Sequence, residues 1–195
     1  MYRYTSEVPK LWRDTIATHR REVRQAILET TATLVGQLGL RAVTMSQIAE
    51  HTGIGRATLY KYFPDVESIL IAWHEGHVAA HLEEVAQLRD GSGRPAERLA
   101  AVLAMYSQIQ YKRRGSELHG LLHREEHMAP AQQRFIEILT GLLQDGVSAG
   151  EVRADIPAAE LASYCLHALA GAGELPSETA VQRLAKVTLD GVLVR

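Results

Sequence analysis

The chain holds a single cysteine, Cys165, among 195 residues. One thiol excludes an intramolecular disulfide and any zinc site built from several thiolates, and it suits a reducing compartment. Within LASYCLHALAG the thiol reads as a small core or interface side chain rather than a nucleophile. Long apolar runs are scarce as well. The longest charge-free apolar stretch, residues 161–173, is too short to cross a bilayer, and the start MYRYTSEVPKLWRDT contains no apolar leader segment. The expected setting is therefore the cytoplasm, away from membranes. No segment alternates polar and apolar residues over the length of a strand, so the expected fold class is all-α. There is also no GxSxG elbow, phosphate-binding glycine loop, HExxH or paired-carboxylate motif. Without these, the chain is not expected to be an enzyme or to carry a cofactor.

What is present is a chain with 46% hydrophobic and 23% charged residues, enough to bury a sizeable core. Net charge is only −2, but it is unevenly placed. Residues 1–61 contain nine Lys and Arg against five Asp and Glu, a net of +4, which leaves −6 for the remainder. A basic amino-terminal segment ahead of an acidic body is what attraction to a phosphate backbone requires. Arginine outnumbers lysine seventeen to four, a bias that points to a GC-rich bacterial genome.

The densest information lies in residues 43–70, VTMSQIAEHTGIGRATLYKYFPDVESIL. Thr44 and Gln47 have capping-box spacing, with Val43 and Ile48 placed as a hydrophobic staple around them. Ala49, Gly53 and Leu59 supply the small residue, the turn glycine and the apolar lock of a helix-turn-helix. Pro64 disfavours helical geometry at Phe63, so the second helix of the motif is expected over residues 56–62. Asp65 is placed to cap the next helix, with Glu67 in its first turn. Ahead of the motif, Val23, Ile27, Leu28, Thr31, Leu34, Val35 and Leu38 recur at helical spacing and predict a helix over 19–38, stopped by Gly39.

This ordered set, with Thr58, Leu59-Tyr60, Tyr62-Phe63 and Glu67 following the capped Thr44 helix, resembles the DNA-binding domain of TetR-family transcriptional regulators. The resemblance covers about the first third of the chain. It departs from the family pattern at Val66, where a lysine commonly lies near a DNA phosphate. By physical argument the exposed start of the recognition helix, Arg56, Ala57 and Thr58, falls to base reading, because an arginine takes guanine bidentately and methyl groups meet thymine. Thr44 sits at a helix N-terminus, and Lys61 is placed for a backbone phosphate. The resemblance implies that Tyr60 and Tyr62 also contact the backbone, and that the protein represses transcription. Leu59 and Phe63 read as core.

The organisation expected is an arm at 1–18, a three-helix helix-turn-helix domain at 19–64, and a helical ligand-binding and dimerisation bundle at 65–195. Helix four, over about 65–89, would link the two as a lever, and DGSGRP at 90–95 is the clearest breaker. Further helices are predicted over 95–113, 116–126, 130–149, 157–170 and 177–193, three of them opening on proline. The last two carry apolar faces rich in small residues. Ala158, Leu161, Ala162, Cys165, Leu169, Val181, Leu184 and Thr188 are therefore candidates for a homodimer interface, which the family resemblance places in a four-helix arrangement; the alternative is that they complete the monomer core. A dimer suits DNA reading, because one helix-turn-helix reads few base pairs and two related by a dyad read a palindrome.

For an effector, His77, Leu82, Met105, Tyr106, Tyr111, Phe135 and Tyr164 offer apolar walls with polar tips, the usual chemistry of a site for a small organic molecule. Six of the nine histidines form two groups, His74, His77 and His81 and then His119, His123 and His127, which raises metal sensing as an alternative. Cysteine or carboxylate ligands to complete such a site are missing apart from Glu126, so no metal is assigned. The expected function is a homodimeric DNA-binding regulator, a repressor released from a palindromic operator by a small organic ligand. Metal response, or DNA binding independent of any ligand, is the competing reading.

Overall fold

The computed structural model describes residues 10–112 and 125–194, with side chains from 15 and from 129 onward. The described residues form eight helices: α1 (Lys10–Leu38), α2 (Met45–Thr52), α3 (Arg56–Tyr62), α4 (Val66–Asp90), α5 (Pro95–Lys112), α6 (Glu125–Ser148), α7 (Ala158–Ala170) and α8 (Glu178–Asp190). Short 3-10 turns occupy Leu40–Ala42 and Gly171–Glu174. Among the described residues the extended pairing is a lone antiparallel bridge between Val152 and Leu193. The all-α expectation holds. The chain divides into two compact units, Met1–Glu75 and Gly76–Arg195, with the division inside α4.

In the N-terminal unit α1 packs on α2 and α2 on α3. The predicted stripe of α1 buries Ile27, Leu28, Thr31, Leu34 and Val35, and the Thr31 hydroxyl donates to the Ile27 carbonyl at 2.8 Å, so its burial leaves no polar atom unmet. Leu38, expected on the same stripe, is 50% exposed because the helix ends there and Gly39 turns the chain at φ 82°. The helix starts nine residues earlier than its apolar pattern indicates. Residues 10–18, assigned to an arm, are helical, and they contain no glycine or proline to stop a helix.

In the C-terminal unit α5 packs against α6, α7, α8 and the 171–174 turn, α6 against α7, and α7 against α8. Leu99, Val102 and Leu103 of α5 meet Ile138, Leu139, Leu142 and Leu143 of α6 and Leu161, Ala162, Cys165, Leu166 and Leu169 of α7 in one core. Gly146 lets α6 approach the Val152 bridge: a Cβ at that position would collide with Val152 Cγ2. Pro130, expected to open a helix, lies inside α6, which begins at Glu125. α8 ends at Asp190, and Gly191 releases the chain into the bridge with Val152 instead of continuing to Leu193. Most of the predicted 116–126 helix lies outside the described residues.

The candidate dimer residues call for a correction. Leu161, Ala162, Cys165, Leu169, Val181 and Thr188 are each at most 3% exposed within a single copy, and Ala158 and Leu184 are half-buried against the same core. The small-residue faces of α7 and α8 pack within their own protomer. Burial also pushes the Cys165 thiol up to about 12, which keeps it protonated and unreactive at neutral pH.

Candidate nucleic-acid interface

Thr44 is the N-cap of α2, with φ −122° and ψ 154°. Its hydroxyl accepts from Gln47 N at 3.3 Å, while Thr44 N and Thr44 Oγ1 both donate to Gln47 Oε1 at 2.8 Å. The capping box is complete, and the staple residues Val43 and Ile48 are both buried. At the other end of α2, Gly53 adopts φ 69° and its N–H reaches the carbonyls of Ala49 and Glu50. Only glycine takes this left-handed turn without strain, and the turn re-aims the chain into α3 within three residues.

α3 has seven residues, too few to persist in isolation, so it is held from its flanks. Leu59 is fully buried and Phe63, just past the helix end, is 5% exposed; the Arg24 guanidinium lies 5.2 Å above the Phe63 ring. Phe63 is extended at φ −146°, as a residue before proline prefers, and this ends α3 at Tyr62. Asp65 then caps α4: its Oδ1 accepts from Ser68 N at 2.7 Å, and the Ser68 hydroxyl donates to the Asp65 carbonyl at 2.8 Å. Pinned in this way, α3 presents Arg56, Ala57, Thr58, Tyr60 and Lys61 as an exposed face, with Tyr60 at 55% exposure and Tyr62 half-buried beside it. Thr44 is exposed at the N-terminus of the neighbouring helix. Val66 is the first residue of α4 and half-buried, with no amine to offer.

A short helix fixed at both ends, with one buried leucine and a free face of cationic, hydroxyl and methyl groups, defines the class: a helix-turn-helix transcriptional regulator. The family profile described as bacterial regulatory proteins, tetR family, matches residues 27–73. The chain is 30% identical over 146 residues to the HTH-type transcriptional regulator Mb2274c of Mycobacterium bovis, covering 71% of this chain and 74% of that one. It is 28% identical over 188 residues to the HTH-type transcriptional repressor KstR2 of Rhodococcus jostii, covering 87% and 90%. A TetR/AcrR-family regulator from Thermobifida fusca shares the fold with a TM-score of 0.76 at 22% identity, over 87% of this chain and 98% of that one. The chain belongs to the TetR family of bacterial transcriptional regulators.

The candidate ligand residues are only partly brought together. Tyr106 and Phe135 stack with ring centroids 4.3 Å apart, Met105 and Leu82 pack against the same core, and Tyr106 Oη accepts from Gln110 Nε2. Tyr111 is half-buried at the end of α5. His77 is exposed on α4. Tyr164 does not join the stack: it is 45% exposed, and its hydroxyl would lie 3.1 Å from a Cβ on Gly191. Among the described residues no three His, Cys, Asp or Glu side chains come together to hold a metal ion. The side chains of His119, His123 and His127 lie outside the described residues. No helix among the described residues is long and apolar enough to cross a membrane.

Proposed function

We propose that the protein is a homodimeric repressor, working in the cytoplasm without catalysis, that leaves a palindromic operator when its C-terminal unit takes up a small organic molecule. One observation carries the reading: the face of α3 is exposed while Leu59 and Phe63 behind it are buried. On this reading Arg56, Ala57 and Thr58 meet base edges, and Thr44, Tyr60, Lys61 and Tyr62 hold phosphates. The name of the Rhodococcus relative supports repression. The Tyr106–Phe135 stack beside Met105 and Leu82 supports an effector with apolar or aromatic character.

Dimerisation then falls to the surface that the fold leaves open on α7 and α8, which includes Tyr164 and the 63% exposed Val187. Large apolar side chains left in water on helices otherwise well packed are what a partner copy would cover. Enrichment of genomic fragments by the purified protein at physiological salt, against random competitor DNA, should return a short imperfect palindrome. Light scattering should return twice the chain mass of 21.5 kDa, and Val187→Glu should shift it towards one chain. Binding without sequence preference, or a monomer at micromolar concentration, would overturn the reading. A screen of small organic molecules should raise Tm and release DNA together; stabilisation by none would favour ligand-independent binding.

A further inference from the structure

A second basic surface lies in the N-terminal unit, beside the end of the recognition helix. Ile16, Ala17, Arg20, Arg21 and Arg24 of α1 and Tyr62 of α3 line an open groove of about 530 Å³. All three arginines are exposed, and among the described residues none is ion-paired to a carboxylate. Arg21 donates to the Thr18 hydroxyl at 3.2 Å, a neutral partner on the same helix. Arg24 is steadied over Phe63, and Ile16 forms an apolar wall at 51% exposure. Three guanidinium groups along one groove, none paired to a described carboxylate, create a local positive potential, and the groove shares Tyr62 with the recognition helix.

We infer that this groove is a sequence-independent clamp for the DNA sugar-phosphate backbone flanking the bases read by α3; the inference rests on the regulator reading above. The spacing fits that occupant. Arg20 and Arg24 are one turn apart, about 6 Å along the helix at 1.5 Å per residue. That separation lets the two cations meet neighbouring phosphates of one strand. The guanidinium groups take phosphate oxygens, the Ile16 and Ala17 wall packs on deoxyribose, and the Tyr62 hydroxyl donates at the junction with the contacts of α3. As a contact to phosphate and sugar alone, the groove adds affinity and register, not sequence preference.

The test uses the full chain with the double variant Arg20→Gln/Arg21→Gln, leaving Arg24 on Phe63. The probes are a duplex selected by the protein from a randomised pool and a random duplex of equal length. The variant is expected to bind both about tenfold more weakly at moderate salt, with a log K against log salt slope shallower by about 0.9 for each phosphate no longer neutralised. Ethylation of the flanking phosphates should stop interfering with binding, while interference at the central phosphates persists. Arg20→Lys/Arg21→Lys should recover most of the slope, which separates charge from any folding defect. An unchanged slope and an unchanged interference pattern in the glutamine variant, with the wild type still selective, would overturn the clamp alone. A wild type that binds no DNA would overturn the regulator reading and the clamp with it.

Discussion

α3 buries one of its seven residues, whereas α7 buries five of thirteen, and the contrast sets the two units apart. The recognition helix is held from its flanks by a capped neighbour, a left-handed glycine and the Phe63-Pro64 stop, which leaves its face free. α5 to α8 are held by a shared apolar core, and one face of each is consumed in forming it. Charge follows the same division only in part. The excess of +4 belongs to residues 1–61, and Asp65, Glu67 and Glu75 reduce it to +1 over Met1–Glu75. The attraction to phosphate is thus a property of the stretch ahead of α4, not of the whole N-terminal unit.

If this contrast is right, core truncation in the C-terminal unit should have the largest effect. Leu139→Ala, at a fully buried site, should cost about 3 kcal/mol in urea unfolding, through reduced burial and a residual cavity. Gly146→Ala should cost about 2 kcal/mol, because Val152 is 2% exposed and has little room to yield to the new methyl. A stability near wild type in either variant would show that the C-terminal unit is looser than its packing indicates. Arg56→Ala should leave Tm unchanged yet lose about 2 kcal/mol of discrimination between operator and random DNA, whereas Lys61→Ala should weaken both alike and lower the salt slope. Equal losses on the two DNAs for both variants would remove the division between base reading and backbone contact. The smallest effect, about 1 kcal/mol of stability, is expected for Thr44→Ala, which removes the cap of α2 but leaves the core intact. A larger loss would mean that the cap supports more than its own helix.

The local parts of this fold are legible in the residues because their physics is local. Thr44 with Gln47, Gly53, Pro64 behind Phe63, and Asp65 with Ser68 each act across four residues or fewer, and the structure has each of these elements. The misread parts depend on distant surroundings. Periodicity marks the apolar face of α7 but not what covers it; the cover is α5, α6 and α8 of the same chain, so residues such as Cys165 and Val181 lie inside the protomer. α1 extends back to Lys10 without an apolar stripe to announce it. The arginines of α1 enter the charge count at once, yet only folding brings Arg20, Arg21 and Arg24 beside Tyr62. Pro130 illustrates the limit of a breaker: proline favours the first turn of a helix but does not fix where that helix begins.

The Thr44 cap has a consequence for what happens when an anion arrives. In the free protein its N–H and its hydroxyl already converge on one oxygen, that of the Gln47 amide. Two donors aimed at a single oxygen reproduce the demand a phosphate would make, so on the proposed reading Gln47 is a placeholder. A phosphate meeting Thr44 would displace a neutral side-chain amide, with no backbone left to organise, and the glutamine would swing out on rotatable bonds. Association at this position would then be an exchange of one oxygen for another, its geometry rehearsed in the capping box.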